Sequence, residues 1–248
     1  MQKVFRPMRK FMLLTAFLAV WHIASTVSTP IFIPGPMLVF TSFLNLLQTG
    51  QLIKGLGYSF SRITVAAFLS MGIAIPTAIL IYGIGFLKEA LMPVISFLRY
   101  IPVTAFSPLL VLWCGIGEKM KISFLFIATF VYFLPSVLLC FDEVPAELLD
   151  VGRSLGLQER HIISQVVLPM SLPSICNTFL MMYGIGWTYC AIVEASNAKY
   201  GLGYIIEISA ARGRTSIVFA AIIMIMIFSY FFDKLGNWLI HKIFSWRY

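Results

Sequence analysis

Few residues in this chain could carry chemistry, and most of the familiar constellations are missing. No G-x-x-x-x-G-K-[ST] run occurs, so the chain has no Walker A loop to cradle nucleotide phosphates. The nearest glycine-rich piece, Gly115-Ile116-Gly117-Glu118-Lys119, lacks that spacing. There is no G-x-S-x-G elbow for a serine nucleophile, and no His/Cys/Asp/Glu group has zinc-ligand spacing. His22, His161 and His241 are far apart, and Cys114, Cys140, Cys176 and Cys190 sit in or beside apolar runs without a C-x-x-C pair. The cysteines therefore read as small buried hydrophobes. No catalytic residue and no metal ligand is assigned.

Two ionisable residues lie where charge is costly. Arg99 stands in a proline-broken apolar run beside Pro102, and Glu194 stands in a second apolar run. An Arg at the centre of a spanning helix costs about 2.5–3.5 kcal/mol on insertion scales, so such groups face a bundle interior or a wet cavity. Either Arg99 lines a path that favours anionic or polar solutes, or Arg99 and Glu194 pair and lock the broken helix to its neighbour. The two roles are compatible. Arg62, near a helix end, is expected to snorkel and is assigned no role.

The elements that must position these groups belong in a bilayer. Of 248 residues, 60% are hydrophobic and only 11% charged, too little charge to solvate a soluble globule. The balance of 18 Lys/Arg against 10 Asp/Glu gives +8, but the charges are dispersed singly and form no nucleic-acid stripe. A spanning helix needs roughly 20 apolar residues. Six segments qualify, at roughly 11–28, 59–83, 90–114, 121–141, 170–193 and 216–240. The expected fold class is an all-α membrane protein of about six transmembrane helices. The first segment follows Lys3, Arg6, Arg9 and Lys10 and is read as an uncleaved span, because no small-x-small cleavage site follows it. Pro30, Pro34 and Pro36 forbid a continuous helix between the first two spans, and Pro93, Pro102 and Pro108 break the third. Residues 1–33 are taken as the tail and first helix, and 34–248 as the core domain. Lys/Arg placement, ten on one side against seven on the other, puts both termini in the cytoplasm.

One polar insert stands out, residues 142–169 between the fourth and fifth spans. Pro145 suits the first turn of a short helix, and Glu147 and Asp150 place negative charge near its N-terminal end. Leu148, Leu149, Val151 and Leu155 give an apolar side, and Gly156 is placed to stop the helix. A second amphipathic stretch, Glu159 to Val167, leads into Leu168 and Pro169. Asp142, Glu143, Glu147, Asp150 and Glu159 outnumber Arg153, Arg160 and His161, so anionic lipid would repel the insert and a protein cleft suits its apolar side better.

Asp150-Val151-Gly152, then Gly156, then Val166-x-Leu168-Pro169 resembles the E-A-A-x-x-x-G-x9-I-x-L-P loop of ABC importer permeases, with Asp for Glu, Val-Gly for Ala-Ala and Val for Ile. Gly152 is the least comfortable departure, since Gly costs about 1 kcal/mol of helix propensity relative to Ala. Arg99-Tyr100-Ile101-Pro102, Leu112 to Glu118, Ala191 to Glu194 and Gly201 to Tyr204 resemble the nitrate/sulfonate/taurine-type branch, so that the likeness covers roughly residues 34–240. The resemblance implies a type I importer permease in which Glu147, Asp150, Val151, Gly152, Arg153, Leu155, Gly156, Leu168 and Pro169 form the ATPase-coupling loop. It further implies two ATPase subunits that use ATP and Mg, a second permease copy, an extracytoplasmic solute-binding protein and an inner-membrane location. This chain would itself bind no cofactor and catalyse nothing. Arg99, Pro102 and Glu194 would line or brace the translocation path. An ion-coupled secondary transporter working through Glu194 is the rival, but no inverted repeat supports it. A lipid-acting enzyme would need a metal or nucleophile constellation.

Overall fold

A computed structural model describes the backbone of residues 2–247 and the side chains of residues 12–247 other than Asn197. The basic cluster Lys3, Arg6, Arg9 and Lys10 lies outside the described side chains. Eleven α-helices follow in order, and no strand occurs among the described residues. They are α1 (Gln2–Val27), α2 (Pro36–Gln48), α3 (Gln51–Gly83), α4 (Gly85–Leu98), α5 (Ser107–Cys114), α6 (Glu118–Asp142), α7 (Ala146–Ser154), α8 (Glu159–Ile162), α9 (Leu168–Asn197), α10 (Leu202–Ala211) and α11 (Thr215–Ile243).

Four helical stretches are long and apolar enough to cross a membrane: α3, α6, the continuous rod Glu159–Ser196 and α11. The expected span at 90–114 is α4 followed by a short 3-10 turn, Val103–Phe106, and α5, with an 84° bend between the two halves. Pro102 stands at the start of that turn and Pro108 in the first turn of α5, where a missing N–H is harmless. The remaining expected span falls in α1, whose described apolar part, Met12–Val27, is shorter than the other four. Trp21 anchors α1 by stacking on Phe219 of α11 and donating its indole N–H to the Pro34 carbonyl at 3.0 Å.

Two elements differ from expectation for reasons of packing. The α3 helix begins at Gln51, well before residue 59, because Leu52 and Gly55 are buried against Leu202 and Ile205 of α10. The proline stretch does break the chain, yet Pro36 opens a helix, α2, from the first-turn position that tolerates it.

Helix α6 is the axle of the bundle. Met120, Phe124, Leu125, Ala128, Phe133, Val137, Leu138 and Phe141 are all buried on it. On α3 the buried side is narrow and made of small residues, Gly55, Ser59, Ala66, Ser70, Ala74 and Ala78. Small side chains let helix backbones approach in lipid, where no hydrophobic force drives helices together. The Ser70 and Thr129 hydroxyls meet at 2.6 Å across the α3–α6 seam. By contrast α11 fully buries only Ala220, Ala221 and Ile240 among its apolar side chains; Met224, Phe228 and Phe232 pack half-buried on the core, and its other side, with Met226, Ile227, Tyr230 and Phe231, is exposed.

Candidate functional site

The polar insert folds as a compact knob at one end of the bundle. Pro145 precedes α7, Glu147 lies in its first turn and Arg153 in its last, so the charges complement the helix dipole. After Leu155 the chain turns at Gly156, φ +80°, a left-handed conformation that glycine adopts without a Cβ clash. The Gly156 N–H bonds the Arg153 carbonyl at 2.9 Å and the Leu157 N–H bonds the Gly152 carbonyl at 3.1 Å. That pair of bonds is a Schellman stop, which satisfies carbonyls otherwise orphaned at a helix end. Arg153 clamps the turn, reaching Asp150 and Glu159 at 3.0 Å each. The Glu159 and Asp150 carboxylates hold its guanidinium above the ordinary arginine pKa. Gly152 is buried against Ile162 and Leu157, with room for a methyl in ordinary van der Waals contact.

Beyond α8 the rod makes one π turn, Ile163–Val167, before α9 begins at Leu168 with Pro169 in its first turn. Single π turns inside helices are uncommon and concentrate at functional places. Leu149, Ile162, Ile163 and Val167 pack under the knob around a cavity of about 350 Å³ that also touches Tyr82, Lys88 and Arg153. Lys88 pairs with Asp142 beside it. On the outside of the knob Val151 is 57% and Leu155 75% exposed, amid Glu147, Asp150 and Glu159. The arrangement offers an acidic rim around an apolar tip.

The opposite end holds a buried ionic cluster. Arg62 of α3, only 2% exposed, grips Glu118 of α6 with two parallel bonds, Nε to Oε2 at 2.6 Å and Nη2 to Oε1 at 2.7 Å. Its third nitrogen bonds Glu194 of α9 at 2.5 Å and the Tyr200 carbonyl at 2.7 Å. Lys121, also buried, donates to Glu118 at 2.9 Å. Glu194 is completely buried and accepts further bonds from the Ser59 hydroxyl at 2.8 Å and the Gly203 N–H at 2.9 Å. The Leu202 N–H closes the ring onto Ser59 at 2.9 Å. Two cations and two carboxylates cancel; Arg62, Lys121 and Glu194 are buried and paired, which is what a buried charge requires to persist, while Glu118 keeps its outer half in solvent. The chain passes this cluster at Gly201, φ +137°, where any side chain would overlap the Glu194 carboxyl.

The sequence-derived pairing of Arg99 with Glu194 is corrected here, because Glu194 pairs with Arg62 instead. Arg99 caps the end of α4 and takes part in none of the ion pairs of the described residues. The eight-residue α5, about 12 Å long at 1.5 Å per residue, separates the helix break from the Glu118 end. Arg62 does not snorkel, Lys121 is buried beside it, and Glu118 caps the pair from the surface with 55% of its side chain exposed. The sequence did contain the signal. Arg62 falls on the small-residue stripe of α3, which marks a helix-facing side. No group of His, Cys, Asp and Glu that could hold a metal ion occurs among the described residues.

Residues 70–245 match the model of the family described as binding-protein-dependent transport system inner membrane component. The taurine transport system permease protein of Escherichia coli (strain K12) is 29% identical over 227 residues, covering 89% of this chain and 82% of its own. A Bacillus subtilis (strain 168) protein named for permease function in aliphatic sulfonates transport is 28% identical over 246 residues, covering 97% and 88%. Among solved structures, the methionine ABC transporter in inward-facing conformations superposes with a TM-score of 0.71 at 21% identity, over 78% of this chain and 96% of that one. A bacterial ABC transporter that imports the acidic polysaccharide alginate superposes at 0.67 and 16% identity, over 98% and 99%. Those two likenesses establish the type I importer permease fold. With its acidic knob at one end, its neutralised cluster at the other and the family model matched over most of its length, the chain belongs to the inner-membrane permease components of binding-protein-dependent ABC transporters.

Proposed function

We propose that this permease imports a small polar or anionic solute by alternating access, driven by two ATPase subunits that bind ATP and Mg. In this reading the knob is the coupling loop. Glu147, Asp150, Val151, Gly152, Arg153, Leu155 and Gly156 present it, and Leu168 and Pro169 join it to α9. Both termini and the knob are cytoplasmic, and a second permease copy completes the path. Arg99, unpaired beside the Pro102 break, faces that path, while Glu194 braces it through Arg62. Irregular backbone at membrane depth is tolerated only against protein or a watery cavity, which supports this placement of the break. The burial of Arg62 and Lys121 also removes two cations from the outer count of seven, which favours this orientation.

The observation that carries the coupling role is the exposed pair Val151 and Leu155 on and at the end of the acidic helix α7, which Arg153 clamps through Glu159 to the rod that runs on through the π turn into α9. Apolar side chains so presented on a charged surface fit a groove in another protein. A secondary transporter would need Glu194 free to exchange a proton or ion, but four donors already occupy its carboxylate. The relatives named for taurine and aliphatic sulfonates support an organosulfonate as the solute class, within the wider set of nitrate-like anions and vitamin precursors.

The test is uptake and ATP hydrolysis by the permease, its ATPase and its binding protein in proteoliposomes. Leu155→Glu is expected to cut uptake at least tenfold while the complex's permease still folds. Undiminished uptake with that variant would remove the coupling assignment. Retained binding of taurine or alkanesulfonates by the binding protein, and loss of uptake in Arg99→Met, would support the solute class and the path.

A further inference from the structure

A second cavity opens at the knob's end of the bundle, formed by the chain beyond α11. There the backbone folds back through one turn, with the Arg247 N–H bonding the Phe244 carbonyl at 3.0 Å. The turn brings the Arg247 guanidinium to Ser174 of α9, 73 positions away, where Nη1 donates to the hydroxyl at 2.9 Å. Between this tail, the foot of α6 and the start of α9 lies a space of about 240 Å³, with Cys140, Glu143, Ser171, Ser174, Trp246 and Arg247 in its wall. It shares no lining residue with the cavity under the knob.

Two full charges of opposite sign border this one space and do not meet. Neither Glu143 nor Arg247 takes part in an ion pair among the described residues. Both side chains are exposed, so water reaches them. The guanidinium has five N–H donors, of which Ser174 takes one. Ser174 accepts that bond and keeps its own proton to give. Ser171, only 1% exposed, donates to the Leu168 carbonyl at 3.0 Å and keeps its oxygen as an acceptor.

We infer that this cavity is a binding site for a small zwitterion, a molecule with a sulfonate or carboxylate at one end and an ammonium at the other. The acid group bonds Arg247 and Ser174, and the ammonium bonds Glu143. Charge selects this class over its halves. A simple anion gains Arg247 but is opposed by Glu143 and by the acidic residues beside it, Asp142 and Glu147. A simple cation is opposed by Arg247. A dipolar ligand satisfies both groups, and bonds between ionised partners are the strong ones. Size narrows the class further. The space equals that of about eight water molecules at about 30 Å³ each, so the ligand has about that many non-hydrogen atoms. The site is defined by its own charges and does not depend on which solute is carried. Arg99 is not in its wall.

The experiment is calorimetric titration of the permease, purified with its ATPase and without any binding protein, using taurine as the zwitterion. Ethanesulfonate and ethylamine serve as its separate halves. Saturable taurine binding is expected, with each half binding about tenfold or more weakly. Arg247→Gln and Glu143→Gln are each expected to weaken taurine binding about tenfold or more. Their ligand-free melting temperatures should stay native, since both side chains are exposed. Glu143→Arg combined with Arg247→Glu should recover part of the affinity, because the ligand can bind reversed. No taurine binding by the native chain overturns the inference. So does binding that both Gln variants retain, and retention in those variants with loss in Arg99→Met gives the ligand to the translocation path instead. Ethanesulfonate binding as tightly as taurine, with Glu143→Gln harmless, makes this an anion site and overturns the zwitterion. None of these outcomes alters the uptake test of the importer reading.

Discussion

At the knob, Arg153, Asp150 and Glu159 keep 52%, 70% and 66% of their side chains in solvent, whereas at the opposite end Arg62 and Glu194 keep 2% and 0%. Both places show an arginine gripping two carboxylates. In water such a pair is worth only about 0–1 kcal/mol, because solvent competes for every bond. Buried, the same pair cannot be broken cheaply from one side, since the abandoned charge has no water to turn to. The knob can therefore exchange its ionic contacts with solvent or other polar groups, and the buried Arg62–Glu194 pair cannot. One end holds its charges loosely and the other holds them fast.

Mutations can widen or erase that contrast. The largest effect is expected from Arg62→Met, which strands Glu194 and should cost about 3–5 kcal/mol. Thermal unfolding in detergent would show it, and adding Glu194→Leu with Glu118→Gln should return part of the loss. A native melting profile for Arg62→Met alone would end the argument for an obligatory cluster. Next comes Gly201→Ala, expected to lose about 1–3 kcal/mol from a backbone conformation reserved for glycine. Its added overlap with the Glu194 carboxyl makes folded yield in membranes a sensitive measure. At the knob, Gly156→Ala meets no neighbouring atom, so only the left-handed φ is at stake. About 1–2 kcal/mol is expected, with uptake falling more than stability because α7 and α8 are re-aimed. The smallest change is a gain. Gly152→Ala places its methyl 3.4 Å from Ile162 and 3.7 Å from Leu157, and should stabilise α7 by up to about 1 kcal/mol with uptake retained. A drop in melting temperature for that variant would show that the knob is packed more tightly than these distances indicate.

The knob was the most legible part of the chain. Its start at Pro145, its stop at Gly156 and its re-entry at Leu168-Pro169 are local events, governed by helix ends and by one left-handed residue. Local rules of this kind survive in a linear pattern. The broken span was legible for the same reason, because prolines act on their own turn. Two short helices were not. The α10 helix owes its place to Glu194 and Gly55, both far away in sequence, and α2 to its packing under α11. The ionic cluster was half visible. Glu194 stood out as a carboxylate in an apolar run, but its partner lay 132 positions away and looked like an ordinary helix-end arginine. Hydropathy alone gave Arg62 to solvent. The row of small residues on either side of it, spaced for one face of α3, was the better guide.

The 38-residue rod from Glu159 to Ser196 carries the Gly156 turn at its foot and Glu194 near its head. At 1.5 Å per residue the foot-to-head distance is about 53 Å. Tilting a rod of that length by about 5° carries its tip some ~5 Å sideways, farther than any hydrogen bond can stretch. Because the buried guanidinium does not let go, a tilt of the rod is accommodated only if Arg62 and Glu118 travel with its head, so that the three helices it joins move as one body.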